Sequence, residues 1–99
     1  VQIIPIGEKH LKYAREVSQK FKDKKIRTFV DDRSETMQAK IRDSQIKKIP
    51  YMLIVGDKEV ENNKVSVRLR TEENLGARTI DEVISKVEEM YLTKSLNLW

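Results

Sequence analysis

The chain has 99 residues, enough for one domain covering 1–99 and one modest core, so a two-domain reading is excluded. It has no cysteine, which excludes disulfide scaffolds, zinc ribbons and thiol nucleophiles and fits a reducing compartment, the cytoplasm. The net charge is +4, and 36% charged beside 38% hydrophobic residues is a globular composition with no apolar run long enough to span a membrane.

Val1 to Ile6 reads as a strand closed by Pro5 and Gly7. Leu11, Ala14, Val17 and Phe21 recur at helical spacing and predict a helix from about Glu8 to Lys24. Ile26 to Val30 returns to β-branched and aromatic residues and predicts a second strand. Glu35 to Lys48 lacks Gly and Pro and reads as a helix that Pro50 stops, although only Met37 and Ile41 mark its apolar stripe. Tyr51 to Val55 is uninterrupted and ends at Gly56, the pattern of a central strand covered on both faces.

Beyond Gly56, Lys58 to Val60 reads as a short strand, Glu61-Asn62-Asn63 as a turn, and Lys64 to Arg70 as the long arm of a hairpin. Strict alternation in that arm places Val65, Val67 and Leu69 on one face, and Lys64, Ser66, Arg68 and Arg70 on the other. Thr79 and Glu82 form a capping box ahead of Ile80, Val83, Ile84, Val87, Met90 and Tyr91, a strongly amphipathic helix. The tail from Thr93 has no clear pattern. The order β-α-β-α-β-β-β-α predicts an α/β fold, a mixed five-stranded sheet flanked by three helices.

Catalytic chemistry has little to work with. His10 is the only histidine and reads as a solvated group at a helix start, without partners for a triad or a metal set. Three glycines, at 7, 56 and 76, cannot build a phosphate-cradling loop. Asp57 after the third strand and Asp31-Asp32 after the second evoke a phosphoacceptor receiver, but a receiver carries its acidic pair after the first strand, where Gly7 and Glu8 stand here. The expectation is therefore of no catalytic and no metal-binding residue within the chain.

Charge points to binding. Residues 1–30 sum to +5, 31–70 to +2 and 71–99 to −3, which suits a one-sided polyanion surface and is also found on ordinary solvated faces. On the hairpin, an arginine could donate two bonds to guanine O6 and N7, and Glu59 could accept from the edge that guanine exposes when unpaired. A plain cross-strand ion pair between the two is the alternative.

The string Asp31-x-Arg33-Ser34-Glu35, then Lys40-Ile41-Arg42, Pro50-Tyr51-Met52-Leu53, Gly56-Asp57-Lys58-Glu59 and Val65-x-Val67-Arg68-x-Arg70 resembles the C-terminal anticodon-binding domain of threonyl-tRNA synthetase. The resemblance extends more weakly over the first strand-helix unit and the last helix. It implies a fragment of a class II synthetase that is inert alone, its partners being the anticodon loop of threonine tRNA and the catalytic domain of the same homodimeric enzyme, with neither DNA nor membrane. ATP and zinc would belong to that catalytic domain, where threonine is joined to its tRNA.

By the same resemblance, Glu59 and Arg68 match residues that contact the G and U at the second and third anticodon positions, and Ser34 stands where the family commonly has Asn. Serine has a shorter arm and a single hydroxyl, so its readout of uracil is expected to differ and to involve water. Lys40 and Arg42, on the helix after Ser34, are candidates for phosphate or base contact, the more exposed of them being favoured, although one could instead pair with Glu35 or Asp43. Lys64 and Arg70 are candidates for phosphate positioning. Tyr51 and Met52 are assigned to the core. A free-standing protein-docking module derived from this domain is the alternative function.

Overall fold

The computed structural model describes residues 1–69 and 73–93, and of 91–93 only the helical backbone. Arg70, the side chain of Tyr91 and the tail beyond residue 93 lie outside the described residues. In chain order the elements are β1 (Gln2–Pro5), a 3-10 turn (Glu8–His10), α1 (Leu11–Asp23), β2 (Phe29–Val30), α2 (Met37–Ile46), β3 (Tyr51–Val55), α3 (Asp57–Asn62), β4 (Lys64–Leu69), β5 (Asn74–Thr79) and α4 (Ile80–Thr93).

The sheet has the order β2-β1-β3-β4-β5, with β1, β2 and β3 parallel and β4 and β5 antiparallel to their neighbours. The two antiparallel strands exclude the receiver reading. β3 is the central strand and is buried at all five positions, as its unbroken apolar run requires. Tyr51 and Met52 are core residues.

The two faces of the sheet are covered unequally. On one, Ala14, Val17 and Phe21 of α1 and Ile80, Val83, Ile84 and Val87 of α4 pack on Ile3, Leu53, Val55, Val65 and Val67. On the other, α2 is the one helix among the described residues that packs down, with Met37 and Ile41 against Ile4, Met52 and Ile54. Cross-strand partners share a face, and Arg68 pairs with Met52 and Ser66 with Ile54. Lys64, Ser66 and Arg68 therefore lie on the α2 side, half-exposed, beyond the reach of that helix.

Two expectations are corrected. Lys58 to Val60 is not a strand but the body of α3, so the described residues hold four α-helices rather than three. The Glu59 carboxylate accepts the Gly56 N–H at 2.8 Å, and Asp57 and Glu59 place negative charge in the first turn. Asn63, in the left-handed conformation at φ 55°, ends the helix after six residues. The fifth strand is instead Asn74–Thr79, which pairs with β4 through a register shift at Val67/Arg68. Gly76 sits at that irregularity with φ +76°, a conformation glycine adopts without steric cost, and donates its N–H to Asn74 Oδ1 at 3.0 Å.

His10 is the other correction. It is 5% exposed rather than solvated. Its Nδ1 accepts the Gly7 N–H at 3.0 Å, so the ring hydrogen sits on Nε2 and donates to Asp57 Oδ1 at 2.8 Å. Lys9 adds an ion pair to the same carboxylate at 3.1 Å. These two bonds, that from His10 first, hold the Asp57 carboxyl below its ordinary pKa. The imidazole thereby ties the turn after β1 to the start of α3, where the carboxyl ends of β1 and β3 meet. Replacing His10 with Ala leaves the Gly7 amide without its acceptor, and the expected cost is about 1 to 3 kcal/mol in urea unfolding with an unchanged m-value. A loss within about 0.5 kcal/mol would return His10 to the surface class.

Candidate nucleic-acid interface

The loop from β2 to α2 is built on a charge clamp. Arg33 donates from Nε and Nη2 to the two oxygens of Asp31, both at 2.8 Å, and from Nη1 to Asp43 at 2.8 Å. The bidentate fork fixes the loop, and Thr36 then caps α2 by accepting the Ala39 N–H at 3.1 Å. The bond from Arg33 pulls the Asp31 carboxyl below its ordinary pKa against the opposing effect of burial, and the two carboxylates raise that of Arg33. Sequence reasoning places Arg33 only within a motif; its signal as a clamp is the Asp31-x-Arg33 spacing, with Asp43 on the next helix.

Lys40 is engaged within the fold. It is 4% exposed, and its Nζ donates to the main-chain carbonyls of Asp31 at 3.0 Å and Pro5 at 3.3 Å. It thus fastens the carboxyl ends of β2 and β1, and Asp43 pairs with Arg33 rather than with either candidate cation. Met37, Ile41 and Ser44 mark the sheet-facing side of α2, and at 100° per residue Lys40 and Asp43 project to the β2 flank while Gln38, Arg42 and Gln45 project to the β4 flank. Arg42 is exposed, without an ion-pair partner among the described residues, and lies on the flank that borders the uncovered part of the sheet.

Ser34 is exposed on the wall of a cleft of about 250 Å³ between this loop and the turn after β1. Exposed Glu8, Asp32 and Glu35 rim that cleft and make no ion pair among the described residues, while the two cations that also line it, Arg33 and Lys40, are held by carboxylates and by main-chain carbonyls. A phosphate would meet three carboxylates there, whereas a base edge bearing N–H donors would meet acceptors. The location, outside the carboxyl ends of parallel strands where the connections from β1 and β2 depart to opposite faces, is the usual binding crevice of such sheets.

Glu59 and Arg68 are not on adjacent strands, and no ion pair joins them. One oxygen of Glu59 is spent on the cap of α3 at the carboxyl end of β3. Arg68 lies opposite Met52, four residues back from Gly56, so about 13 Å separates the two positions along the strand. Ser66 and Lys64 continue the Arg68 row toward Gly56. Arg68 and Lys64 are half-buried with no carboxylate in ion-pair range among the described residues. Arg42, Arg68 and Lys64 thus make a cationic rim along one open sheet face, with the anionic Ser34 cleft at its end. No three His, Cys, Asp or Glu side chains among the described residues gather into a group that could hold a metal ion. No described helix is long and apolar enough to cross a membrane.

Residues 1–90 match the family of the anticodon binding domain. The threonine–tRNA ligase of Sulfurihydrogenibium sp. (strain YO3AOP1) is 48% identical over 94 residues, 95% of this chain and 15% of its own length. That of Bacteroides thetaiotaomicron is 44% identical over 99 residues, the whole of this chain and 15% of the relative. The crystal structure of the RNA binding domain of threonyl-tRNA synthetase from Cryptosporidium parvum superposes with a TM-score of 0.84 at 31% identity, covering 90% of this chain and 22% of that one. The chain therefore spans about 15% of the length of the ligases it matches.

Two consequences separate the clamp from the contact surface. Lys40→Met should lower stability by about 1 to 3 kcal/mol through the two carbonyls it leaves unpaired, whereas Arg42→Gln should leave urea unfolding within about 0.5 kcal/mol of the parent. The reverse ranking would overturn both assignments. For Asp31, whose folded pKa lies below the ordinary carboxylate value of about 3.9, the unfolded chain takes up the proton first as pH falls. Its contribution is whole above about pH 4 and is lost as pH drops toward the depressed folded value. The stability gap between the parent and Asp31→Asn should accordingly be largest near neutrality and narrow toward pH 2, and a gap constant with pH would remove Asp31 from acid unfolding.

Proposed function

The chain belongs to the anticodon binding domain family, of the type found in threonyl-tRNA synthetases, and from this premise we propose that it binds the anticodon loop of threonine tRNA and reads the G and U at its second and third positions. The observation that carries the reading is Arg68, a half-buried guanidinium with no anionic partner among the described residues, on the face of the sheet that α2 covers only over β1 and β3. A partly buried guanidinium with no carboxylate beside it is a donor set open to a ligand, and guanine O6 and N7 match its fork.

The other residues divide by charge. Ser34, in a cleft rimmed by carboxylates, suits the N–H edge of an unstacked base, which a phosphate could not approach on equal terms. Glu59 offers its second oxygen to a base amine from the carboxyl end of β3, held in place by the cap it makes with the first. Arg42 and Lys64 border the same face and are assigned to phosphates, which supply affinity without sequence information. Arg70 is kept in that role on its place in the sequence. Lys40 leaves the contact set, because burial and two carbonyl bonds already account for it.

As the recognition part of a longer, homodimeric cytoplasmic ligase, the chain would work beside a catalytic domain that uses ATP and holds zinc to join threonine to tRNA. Its own residues orient the anticodon and take no part in that transfer.

Titration of the chain with a threonine tRNA anticodon stem-loop, followed by amide shifts at low salt, tests the assignment. Shifts should gather at Ser34, Glu59 and Arg68 and shrink for a loop whose second anticodon base is no longer G. Arg68→Ala should cost about 1 to 3 kcal/mol of discrimination between the two loops, while Lys64→Ala should reduce the salt slope of binding by about 0.7 and spare the discrimination. Equal binding of both loops by the parent chain would reduce the face to a general polyanion patch. A stable homodimer without affinity for RNA would favour the protein-docking alternative.

A further inference from the structure

The side chains assigned to base reading stand on different elements. Ser34 belongs to the loop from β2 to α2, and the opposite wall of its cleft is the turn after β1, with Pro5, Ile6, Gly7 and Glu8. Glu59 belongs to the first turn of α3, with one oxygen on the Gly56 N–H. Two successive bases of one loop are covalently joined, so both are bonded at once only if the two sites keep a fixed separation. A hydrogen bond holds its strength over only about half an ångström, which makes that separation a requirement of recognition.

Backbone, packing and charge join the turn after β1 to the head of α3. Ile6 donates its N–H to the Val55 carbonyl at 3.0 Å, and its Cδ1 lies so close over Gly56 that a Cβ there would stand 2.6 Å from it. Lys9 pairs with Asp57, but the two side chains are 71% and 73% exposed, where such a pair contributes little. His10 is the buried link. Its Nδ1 accepts from Gly7 in the cleft wall, its Nε2 donates to Asp57 in the turn that carries Glu59, and its own N–H is held by the Gly7 carbonyl at 3.0 Å.

We infer that His10 is a positioning residue for base recognition: it sets the spacing between the Ser34 cleft and Glu59, and so keeps the contacts to the third and second anticodon bases in register with one RNA strand. The inference rests on the anticodon-loop reading and adds to it a residue that touches no base. At 5% exposed the ring has almost no surface to offer RNA, so its effect passes through the groups it holds. The bond to Gly7 fixes the cleft wall and the bond to Asp57 fixes the head of α3. Because the two bonds leave from different nitrogens of a rigid ring, they are separable by substitution.

Amide side chains reproduce the ring one nitrogen at a time. Asparagine places an oxygen where Nδ1 stands and reaches no further, so His10→Asn keeps the acceptor for Gly7 and drops the bond to Asp57. Glutamine places its amide nitrogen where Nε2 stands, so His10→Gln keeps the donor to Asp57 and drops the acceptor beside Gly7. Asp57→Ala removes the same bond as His10→Asn from an exposed side chain and leaves the core intact.

The parent chain and the three variants are titrated, at one salt concentration, with the threonine anticodon stem-loop and with loops altered at the second or at the third anticodon base. His10→Gln should lose about tenfold of the discrimination at the third base and keep that at the second. His10→Asn and Asp57→Ala should lose about tenfold at the second base and keep the third. A loss of stability alone does not produce this crossed pattern, because a smaller folded fraction weakens every loop by the same factor. Ratios unchanged in all three variants, or falling together in each, with the parent still discriminating at both bases, would overturn the role of His10 and leave the anticodon reading standing. A parent chain that does not bind the stem-loop, or does not discriminate at one base or both, would overturn the anticodon reading and this inference with it.

Discussion

β3 is apolar at all five positions, and its burial on both faces constrains everything else in the molecule. A chain of this size has few elements with which to cover a sheet twice. α1 and α4 close one face completely, which leaves α2 alone for the other. One helix spans about 10 Å and the strands lie about 4.8 Å apart, so α2 covers β1 and β3 and stops short of β4. The half-exposed row of Lys64, Ser66 and Arg68 follows from that shortage of cover, and a polar surface beside a packed helix is where a flat, unstacked base can be laid down.

The charges sort into those that build the scaffold and those that remain free for a partner. Arg33 is bound by two carboxylates, Lys40 by two carbonyls, and Asp57 by His10 and Lys9; all three sites lie at the carboxyl ends of the parallel strands. They hold in register the three loops that meet there. The arginine fork and the buried lysine each satisfy backbone or carboxylate groups that would otherwise be costly to leave unpaired. Arg42, Lys64 and Arg68 make no ion pair among the described residues, which leaves their charge to a ligand.

Much of this was legible from the sequence, and the failures have definite causes. β3, β4 and α4 were readable because their periods are strong: five apolar residues in a row, a strict two-residue alternation, and a three-to-four spacing behind a threonine cap. α3 was misread because its six residues are too few for a helical period, although Gly56 with Glu59 three residues later is a capping signal that should outweigh a single Val60. β5 was missed because Asn74, Gly76 and Arg78 break its pattern at an edge, where only one side of the strand need pair. The burial of His10 and of Lys40 was not legible for a common reason: burial of a polar side chain depends on partners distant in the chain, Asp57 for the one and Pro5 for the other, and no local pattern announces them.

The placement of the free charges bears on how one small surface could separate affinity from selectivity. The cleft at Ser34 is rimmed by Glu8, Asp32 and Glu35, and the open face on one side of it and the exposed Arg15 and Lys22 of α1 on the other are positive. A polyanion is drawn to the flanks by long-range attraction that salt screens, yet its phosphates are turned away from the centre. Only a base turned out of its stack, offering N–H groups, is electrostatically suited to the carboxylate rim. Selection then depends on short-range bonding at Ser34, Glu59 and Arg68, and the flanks set how strongly the backbone is held. A uniformly basic surface of the same net charge would bind RNA as firmly but would give a phosphate as good a place in the cleft as a base, and the distinction between anticodons would be blurred.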